Sequence, residues 1–249
     1  MIKFFNKIRK QMLIENKMGR YLKYAIGEII LVMIGILLAL QVNTWNNNKE
    51  LKKEEQKIIK SLLGEFKENL EKFDIAYKFH QNRKKGMEYS LLADLKPLSA
   101  DSLISMLQKV NGNYTFDPFQ GIYNSVINSG KIELISNDAL KSKIARLQDL
   151  IRDYQEEEKG SQLTSTQSLY PYEVGQPLFS FRYLKSDGNN EEALEIKKNL
   201  INFFESQQYN NIILQLSGWM RPIFEEGPVL RGEMVSIINL LEEEIDKHK

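Results

Sequence analysis

In this sequence, histidine and glutamate are the residue types that could take part in acid–base catalysis or bind a metal. The chain has only two histidines, His80 and His248, and no cysteine. A zinc site with several histidines and a thiolate site are therefore excluded. A Ser-His-Asp triad is not expected, because only two histidines could serve as its base. The glutamates at 156–158 are consecutive, so a helix spreads them around its surface. We expect no catalytic residue, no cofactor and no metal, and thus no enzyme.

The remaining charged residues also indicate solvated surfaces. His80 lies within an apolar helical stripe with no second ligand at a matching spacing, so a hydrogen-bonded core or edge histidine is favoured over a metal ligand. The glutamates at 242–244 are predicted to form a solvated face. The net charge of +1, from 34 basic and 33 acidic residues, gives no electrostatic reason to expect a nucleic-acid partner.

Residues 24–45, YAIGEIILVMIGILLALQVNTW, form the most apolar stretch of the chain. A helix of this length reaches roughly 33 Å, enough to cross a hydrocarbon core. Three aromatic residues flank the run at positions typical of membrane interfaces, namely Tyr21, Tyr24 and Trp45. We predict a transmembrane helix at 24–45. The alternatives are a buried core helix and a cleaved signal peptide, and the second lacks a small-residue cleavage pattern.

Basic residues favour one orientation of this helix. Residues 1–23 carry seven lysines and arginines and a single glutamate, whereas residues 46–60 carry five lysines. The excess predicts a cytoplasmic amino-terminal tail and a body on the other side. The tail also has apolar residues on one helical face, at Met1, Phe4, Phe5, Ile8 and Met12. It is interpreted as an interfacial helix on anionic headgroups or as a solvated basic tail.

Glu28 is the single charge inside the apolar helix. It heads a seam that repeats at spacings of four and three and contains small residues, at Val32, Gly35, Ala39 and Val42. Such a seam permits close contact with a partner helix. Glu28 could contact that helix, relay protons, or be solvated at the level of the headgroups.

The region after an expected hinge at Asn46-Asn47-Asn48 has the pattern of one long amphipathic helix. Apolar residues alternate by four and three from Ile59 to Leu91, and further apolar residues widen the stripe. A wide stripe favours packing into a helical bundle over a bare coiled-coil dimer.

Start and stop signals divide the rest of the chain into further helices. Pro97, Gly112 and Gly130 mark helix ends, and Ser99 and Asn137 are placed as amino-terminal caps. Helical periodicity is also present from Phe116 to 127, at 191–204 and at 210–224. Gly227-Pro228 predicts a kink or turn, followed by a last amphipathic helix to Ile245.

Residues 169–188 break the helical pattern and are rich in aromatic side chains. Alternation of aromatic and polar residues predicts an extended segment laid over the bundle. This segment could pack on the bundle or recognise a partner, through Tyr170, Tyr172, Phe179, Phe181 and Tyr183.

Two sequence blocks resemble a known family. The motifs YAIGEI at 24–29, IGILLALQVN at 34–43 and WN at 45–46 are similar to the opening of a family of uncharacterised single-pass membrane proteins of Bacteroidota, a domain of unknown function. The block YNSVINSGKIELISN at 123–137 resembles a second pattern of that family. The resemblance implies a topology and no catalytic residues.

The sequence therefore predicts an all-α protein in three parts: a basic tail at 1–23, a transmembrane helix at 24–45, and an antiparallel helical bundle at 46–249. We expect it in a bacterial inner membrane with the bulk of the chain in the periplasm. Its expected role is that of an accessory or scaffold subunit, in contact with the lipid bilayer, that binds another protein or itself. The alternatives are a ligand-sensing or signalling component and, less favoured, an enzyme.

Overall fold

The computed structural model describes residues 18–178 and 190–247, and within these ranges the chain is helical without strands. The all-α fold class is thus confirmed. Contacts divide the chain into two compact units, Met1–Gln56 and Lys57–Lys249. The α-helices are α1 Met18–Leu92, α2 Ala100–Val110, α3 Gly121–Asn128, α4 Asp138–Thr164, α5 Tyr170–Val174, α6 Asn190–Glu205 and α7 Gln207–Asp246. A 3₁₀ turn occupies Lys131–Leu134, and a π-helical turn occupies Ser165–Leu169.

The first unit contains the amino-terminal part of α1. An 18-residue window there has a mean hydropathy of 2.4 and none of it is buried by the protein. Among the described residues this is the one helix long and apolar enough to span a membrane. The hinge expected at 46–48 is wrong, because the helix is unbroken there. An asparagine in a helix costs only about 0.5 kcal/mol relative to alanine, and the flanking turns propagate through it.

Local capping chemistry is confirmed where the sequence placed it. The Ser99 hydroxyl accepts from the Ser102 N–H at the start of α2, and the Asn137 side chain accepts from the Leu140 N–H at the start of α4. Gly130 follows α3 with φ of +71°, the left-handed conformation that glycine adopts without a steric penalty. Each of these capping features involves residues only a few positions apart, so the sequence alone is enough to locate it.

Helix α3 is shorter than its apolar periodicity suggests. We predicted helix from Phe116, but 111–120 is not helical and α3 begins at Gly121. Pro118 disfavours a helical conformation at Asp117 and has no N–H to donate. Side chains from α1 and α4 donate to the carbonyls of Phe119 and Phe116, which a helix would have paired.

Helix α7 continues where the sequence predicted a kink or turn. It is unbroken from Gln207 to Asp246 with Pro222 and Pro228 inside it. Buried side chains on both sides of Pro228, Ile223 and Leu230 among them, hold the two halves on one core. Packing of this kind can outweigh the roughly 3 kcal/mol that an interior proline costs.

The core of the second unit lies between α1, α4 and α7. Helix α7 runs antiparallel to α4, since Lys143 pairs with Glu233 and Gly160 meets Trp219. It is also antiparallel to α1, with Arg231 paired to Asp74 and Tyr209 to Ser90. The shared core includes fully buried side chains from all three helices: Ile59, Leu62, Phe73, Leu140, Ile144, Tyr154, Ile213, Leu216, Ile237 and Leu241.

Candidate functional site

The predicted membrane seam lies along one face of α1. Val32 and Val42 are 55% and 63% exposed, and Ala39 is exposed as well. A Cβ built on Gly35 would meet no atom within 4 Å. Glu28 is partly exposed at the head of the seam. The chain itself therefore leaves this apolar face open, which suits contact with lipid or with another helix.

Of the three interfacial aromatics, only the Trp45 side chain is among those that the structure describes. It is 66% exposed, and the Lys49 ammonium lies 5.6 Å from the centroid of its ring. Tyr21 and Tyr24 fall within α1, and their side chains are outside the described ones. An exposed tryptophan beside a lysine is the combination that favours a membrane–water interface.

The aromatic segment proposed as a partner loop is helical in its first half. Tyr170 and Tyr172 belong to α5, so the extended conformation predicted there is wrong. Pro171 lies at the start of α5, directly after the π-helical turn. The Tyr172 ring stacks on Phe203 at 5.2 Å, and its hydroxyl donates to Ser206. Both tyrosines are thus tied to the body, while Phe179, Phe181 and Tyr183 lie outside the described residues.

A buried guanidinium is the centre of a polar network that the sequence analysis missed. Arg83 on α1 is 2% exposed. It donates to the Val110 carbonyl at 2.8 Å, to the Ser161 hydroxyl at 3.1 Å and to the Ser165 hydroxyl at 2.5 Å. Burial lowers the pKa of Arg83, and Tyr170 acts in the opposite direction. These uncharged acceptors join α1, α2, α4 and the π-helical turn at one point.

His80 and Glu158 form a second buried polar contact, one turn away on the same two helices. His80 is one turn before Arg83 on α1, and Glu158 is one turn before Ser161 on α4, so spacings of three bring the groups together. His80 Nε2 lies 2.8 Å from Glu158 Oε1, and the second carboxylate oxygen accepts from the Phe116 N–H at 2.8 Å. Both side chains are at most 2% exposed. The prediction of a hydrogen-bonded core histidine is confirmed.

Two predictions about glutamates are wrong. Glu158 was expected on a solvated helix surface with its neighbours, but it is buried. Glu244 was expected on a solvated face and is 7% exposed, accepting from the Asn137 amide at 2.8 Å and from Lys247. Each carboxylate has donors within reach, which is the condition under which a buried charge is tolerated.

The non-helical segment 111–120 and the start of α3 are fixed by side chains from α1 and α4. Asn69 accepts from the Phe119 N–H at 2.7 Å and donates to its carbonyl at 2.8 Å. Gln155 donates to the Phe116 carbonyl. Glu65 accepts from the N–H groups of Ile122 and Tyr123 at the start of α3, acting as a cap supplied by another helix. The segment is rigidly held because its buried backbone groups have partners.

Glu173 on α5 is a partly buried carboxyl at the edge of this network. Asn111 donates to its Oε2 at 2.9 Å, and the Tyr170 hydroxyl beside it accepts from the Gly112 N–H at 3.2 Å. Burial raises the pKa of Glu173 from 4.5 to about 7, against the opposing effect of the Asn111 hydrogen bond. The helix that carries Glu173 is thus attached to 111–112 by a contact whose charge changes near neutral pH.

We expect Glu173→Gln to stabilise the protein above pH 7. The unfolded carboxyl ionises near 4.5 and the folded one near 7, so the native state holds its proton more tightly. Stability therefore falls as pH rises from 4.5 to 7 and stays low above it. After a discount for partial exposure, the amide should gain about 1–2 kcal/mol at pH 8. Urea denaturation of the full-length protein in detergent at pH 4.5 and pH 8 measures this difference.

The gain should nearly disappear at pH 4.5, where the folded Glu173 carboxyl is protonated and, like the glutamine amide, uncharged. Glu205→Gln is a matched control, since Glu205 is exposed at the end of α6 and should change stability by less than about 0.5 kcal/mol at either pH. An equal gain at both pH values would contradict the raised pKa of Glu173.

The network as a whole has the chemistry of a structural core. His80, Arg83 and Glu158 are each 2% exposed, and the described residues contain no group of three or more side chains that could hold a metal ion. Arg83 bonds to two hydroxyls and a carbonyl, and Glu158 bonds to an imidazole and a backbone N–H, so both groups fix the positions of helices. The groups suited to binding a partner are the open apolar face of α1 and the surface of the body.

Comparisons with known proteins give one match. No curated protein and no solved structure matches the chain. The family model named DUF6090, a family of unknown function, matches residues 28–161. The match runs from Glu28 at the head of the membrane seam to Ser161 in the buried network, and it covers more than half of the chain. The chain belongs to the DUF6090 family of unknown function.

Proposed function

We propose that this protein is a membrane-anchored helical subunit that binds another membrane protein or a second copy of itself. The observation that carries the proposal is the apolar part of α1, whose most apolar window has none of its residues buried by the rest of the chain. Leucine, isoleucine and valine each favour insertion by about 0.3–0.6 kcal/mol at the centre of a membrane helix. The segment is therefore most stable in a bilayer.

The small side chains and the single carboxyl of the seam support a partner helix within that bilayer. Gly35 and Ala39 reduce the bulk on the face that Glu28 heads. Small side chains let two helix backbones approach closely, and a carboxyl near one end can bond to a polar group on the neighbour. An isolated anchor would need neither feature.

The charge distribution supports a bacterial inner membrane with the amino terminus in the cytoplasm and the body in the periplasm. The basic residues of 1–23 outnumber its single acid by seven to one. Short flanking segments of this kind are retained on the cytoplasmic side. The absence of cysteine is compatible with either side of the membrane.

Copurification tests the interaction. The tagged full-length protein is extracted from membranes in mild detergent, and bound proteins are identified and quantified. We expect a stoichiometric partner, or a dimer, that is lost when Val32→Phe adds bulk to the seam. Leu37→Phe is the matched control, because a helix of 3.6 residues per turn places Leu37 on the opposite face.

The result that overturns the proposal is a partner-free monomer that neither substitution affects.

Membrane attachment is tested in the same preparations. We expect the protein in the membrane pellet after high-speed centrifugation and after a carbonate wash, and protease added to spheroplasts should digest the body. Recovery of the full-length protein in the aqueous fraction would exclude the anchor.

A further inference from the structure

Helix α5 is a short element that a few contacts hold on the body. It has five residues, and the π-helical turn at Ser165–Leu169 joins it to α4. Its last residue, Val174, is 87% exposed. Two polar contacts attach α5 to residues 111–112, one through the Tyr170 hydroxyl and one through the Glu173 carboxyl. The position of α5 therefore depends on the state of these side chains.

The Glu173 contact lacks the donors that a buried carboxylate needs. Asn111 donates to Glu173 Oε2 at 2.9 Å, whereas Glu173 Oε1 is buried and has no hydrogen-bond partner among the described residues. Asn111 Oδ1 is buried without a partner there as well. Two acceptor oxygens without a donor suit a neutral carboxylic acid, because its O–H supplies one. Ionisation removes that donor and adds a charge to a partly buried site.

The groups that face Glu173 supply no compensating cation. On α7 the titratable neighbour is Tyr209, whose pKa is raised by burial and also by Glu173. On α1, Arg83 interacts electrostatically with Tyr170 and donates to hydroxyl and carbonyl oxygens. Helix α6 contacts α5 through an aromatic ring and a hydroxyl. Within the described ranges no lysine, arginine or histidine pairs with Glu173, and its burial raises its pKa to about 7.

The π-helical turn gives the chain a place to bend. Arg83 donates to Ser161 and Ser165, so the amino-terminal side of the turn is fixed to α1. On the other side, the Tyr170 N–H donates to the Ser165 carbonyl, and residues 166–167 are exposed. Single π-helical turns inside α-helices are rare and are frequent at functional sites. Movement of the chain beyond Ser165 leaves the Arg83 contacts intact.

We propose that Glu173 is a proton-operated latch: its uncharged carboxyl holds α5 on residues 111–112, and its ionised form lets α5 move into solvent about the π-helical turn. The Tyr172 ring opposes this release because it stacks on Phe203, so the open form is a minority of the molecules. Opening exposes the rings of Tyr170 and Tyr172, and the latch thus controls access to these two tyrosines of the aromatic segment. It does not depend on the membrane interaction proposed above.

The latch should be strongest in acid and should weaken up to pH 7. The closed form holds the proton more tightly, since its carboxyl ionises near 7 and a solvated one near 4.5. Between these values the open fraction increases about tenfold with each pH unit, and above pH 7 it is constant. From pH 6 to pH 8 we therefore expect an increase of up to about tenfold, because the partial exposure of Glu173 reduces the effect.

Amide hydrogen exchange of the full-length protein in detergent measures the open fraction. A released helix of five residues does not stay folded in water, so its amides exchange. Rates at pH 6 and pH 8 are corrected for the intrinsic effect of pH and compared for residues 166–174 and for the α4 core at 144–151. We expect the protection of 166–174 to fall by up to about tenfold and to remain below that of 144–151.

Two substitutions assign the effect to the Glu173 proton. Glu173→Gln should remove the pH dependence of exchange at 166–174. The matched control Glu205→Gln, at an exposed position of α6, should retain it.

Tyr172→Phe separates the proton from the other contacts of α5. It removes the hydroxyl that donates to Ser206 at 2.8 Å and keeps the aromatic ring. Exchange at 166–174 should increase severalfold, by the same factor at pH 6 and at pH 8. Loss of the pH dependence in this variant would contradict the assignment to Glu173.

Three further results overturn the inference: exchange at 166–174 that does not change with pH, a pH dependence that survives Glu173→Gln, or exchange at 166–174 no faster than at 144–151. The third would mean that α5 opens only when the whole body unfolds. The stability gain expected for Glu173→Gln could still be observed in that case, since it compares only the folded and unfolded states. Copurification through the seam is a separate measurement, so the proposed function holds or fails independently.

Discussion

Replacing Glu158 with alanine is expected to lower the free energy of unfolding of the helical body by about 2–5 kcal/mol, because each buried polar group left without a partner costs about 1–3 kcal/mol. The substitution removes the acceptor of the Phe116 N–H and the partner of His80 Nε2. Urea denaturation of the full-length protein in detergent, followed by circular dichroism, measures the loss.

Two control variants separate the network from a general effect of the substitution. Glu158→Gln keeps an acceptor for the Phe116 N–H and a donor toward His80, so its cost should be only about 1–2 kcal/mol. Glu156→Ala removes an exposed carboxylate from the same helix and should change stability by less than about 0.5 kcal/mol. A Glu158→Ala loss no larger than that of Glu156→Ala would show that the buried contacts contribute no stability.

The parts of the fold that could be predicted from sequence depend on short-range chemistry. A cap such as Ser99 or Asn137 bonds to an N–H three residues away, and Gly130 takes its conformation from its own missing side chain. The long amphipathic stripe from Ile59 to Leu91 repeats with the helical period, so its existence follows from the sequence. None of these features needs knowledge of a distant contact.

The errors occur where distant contacts outweigh local preference. Residues 116–120 have helical periodicity, but side chains forty to fifty residues away bind their backbone groups. Gly227-Pro228 predicted a kink or a turn, and the turn is wrong because the core on both sides keeps α7 continuous. The apolar segment at 24–45 differs, because its length and hydropathy are enough to predict a helix that could span a membrane.

The buried network could not have been found from spacing alone. His80 and Arg83 are three residues apart, as are Glu158 and Ser161, and each pair shares a helix face. This spacing is also common on solvated helices, so it carries little information by itself. What identifies the network is the approach of two helices 78 residues apart in sequence. A glutamate in a run of three gives no signal about which of the three is enclosed.

Gly227→Ala is expected to lower the free energy of unfolding by about 1–3 kcal/mol, although alanine is the better helix former. A Cβ at this position would lie 2.5 Å from Tyr77 Cε2 and 3.3 Å from Tyr154 Cε2. The Tyr77 ring cannot easily move, because it stacks on Phe73 at 5.6 Å and meets Phe224 edge-on at 5.7 Å. The clash should therefore exceed the gain in helix propensity of up to about 1 kcal/mol.

Gly232→Ala in the same helix is the control that gives the opposite sign. A Cβ on Gly232 meets nothing within 4 Å, so only the gain in helix propensity remains and the variant should be more stable by up to about 1 kcal/mol. Urea denaturation of both variants in the same buffer tests whether their changes in the free energy of unfolding have opposite signs. If Gly227→Ala were as stabilising as Gly232→Ala, the close approach of α1 and α7 at Tyr77 would be wrong.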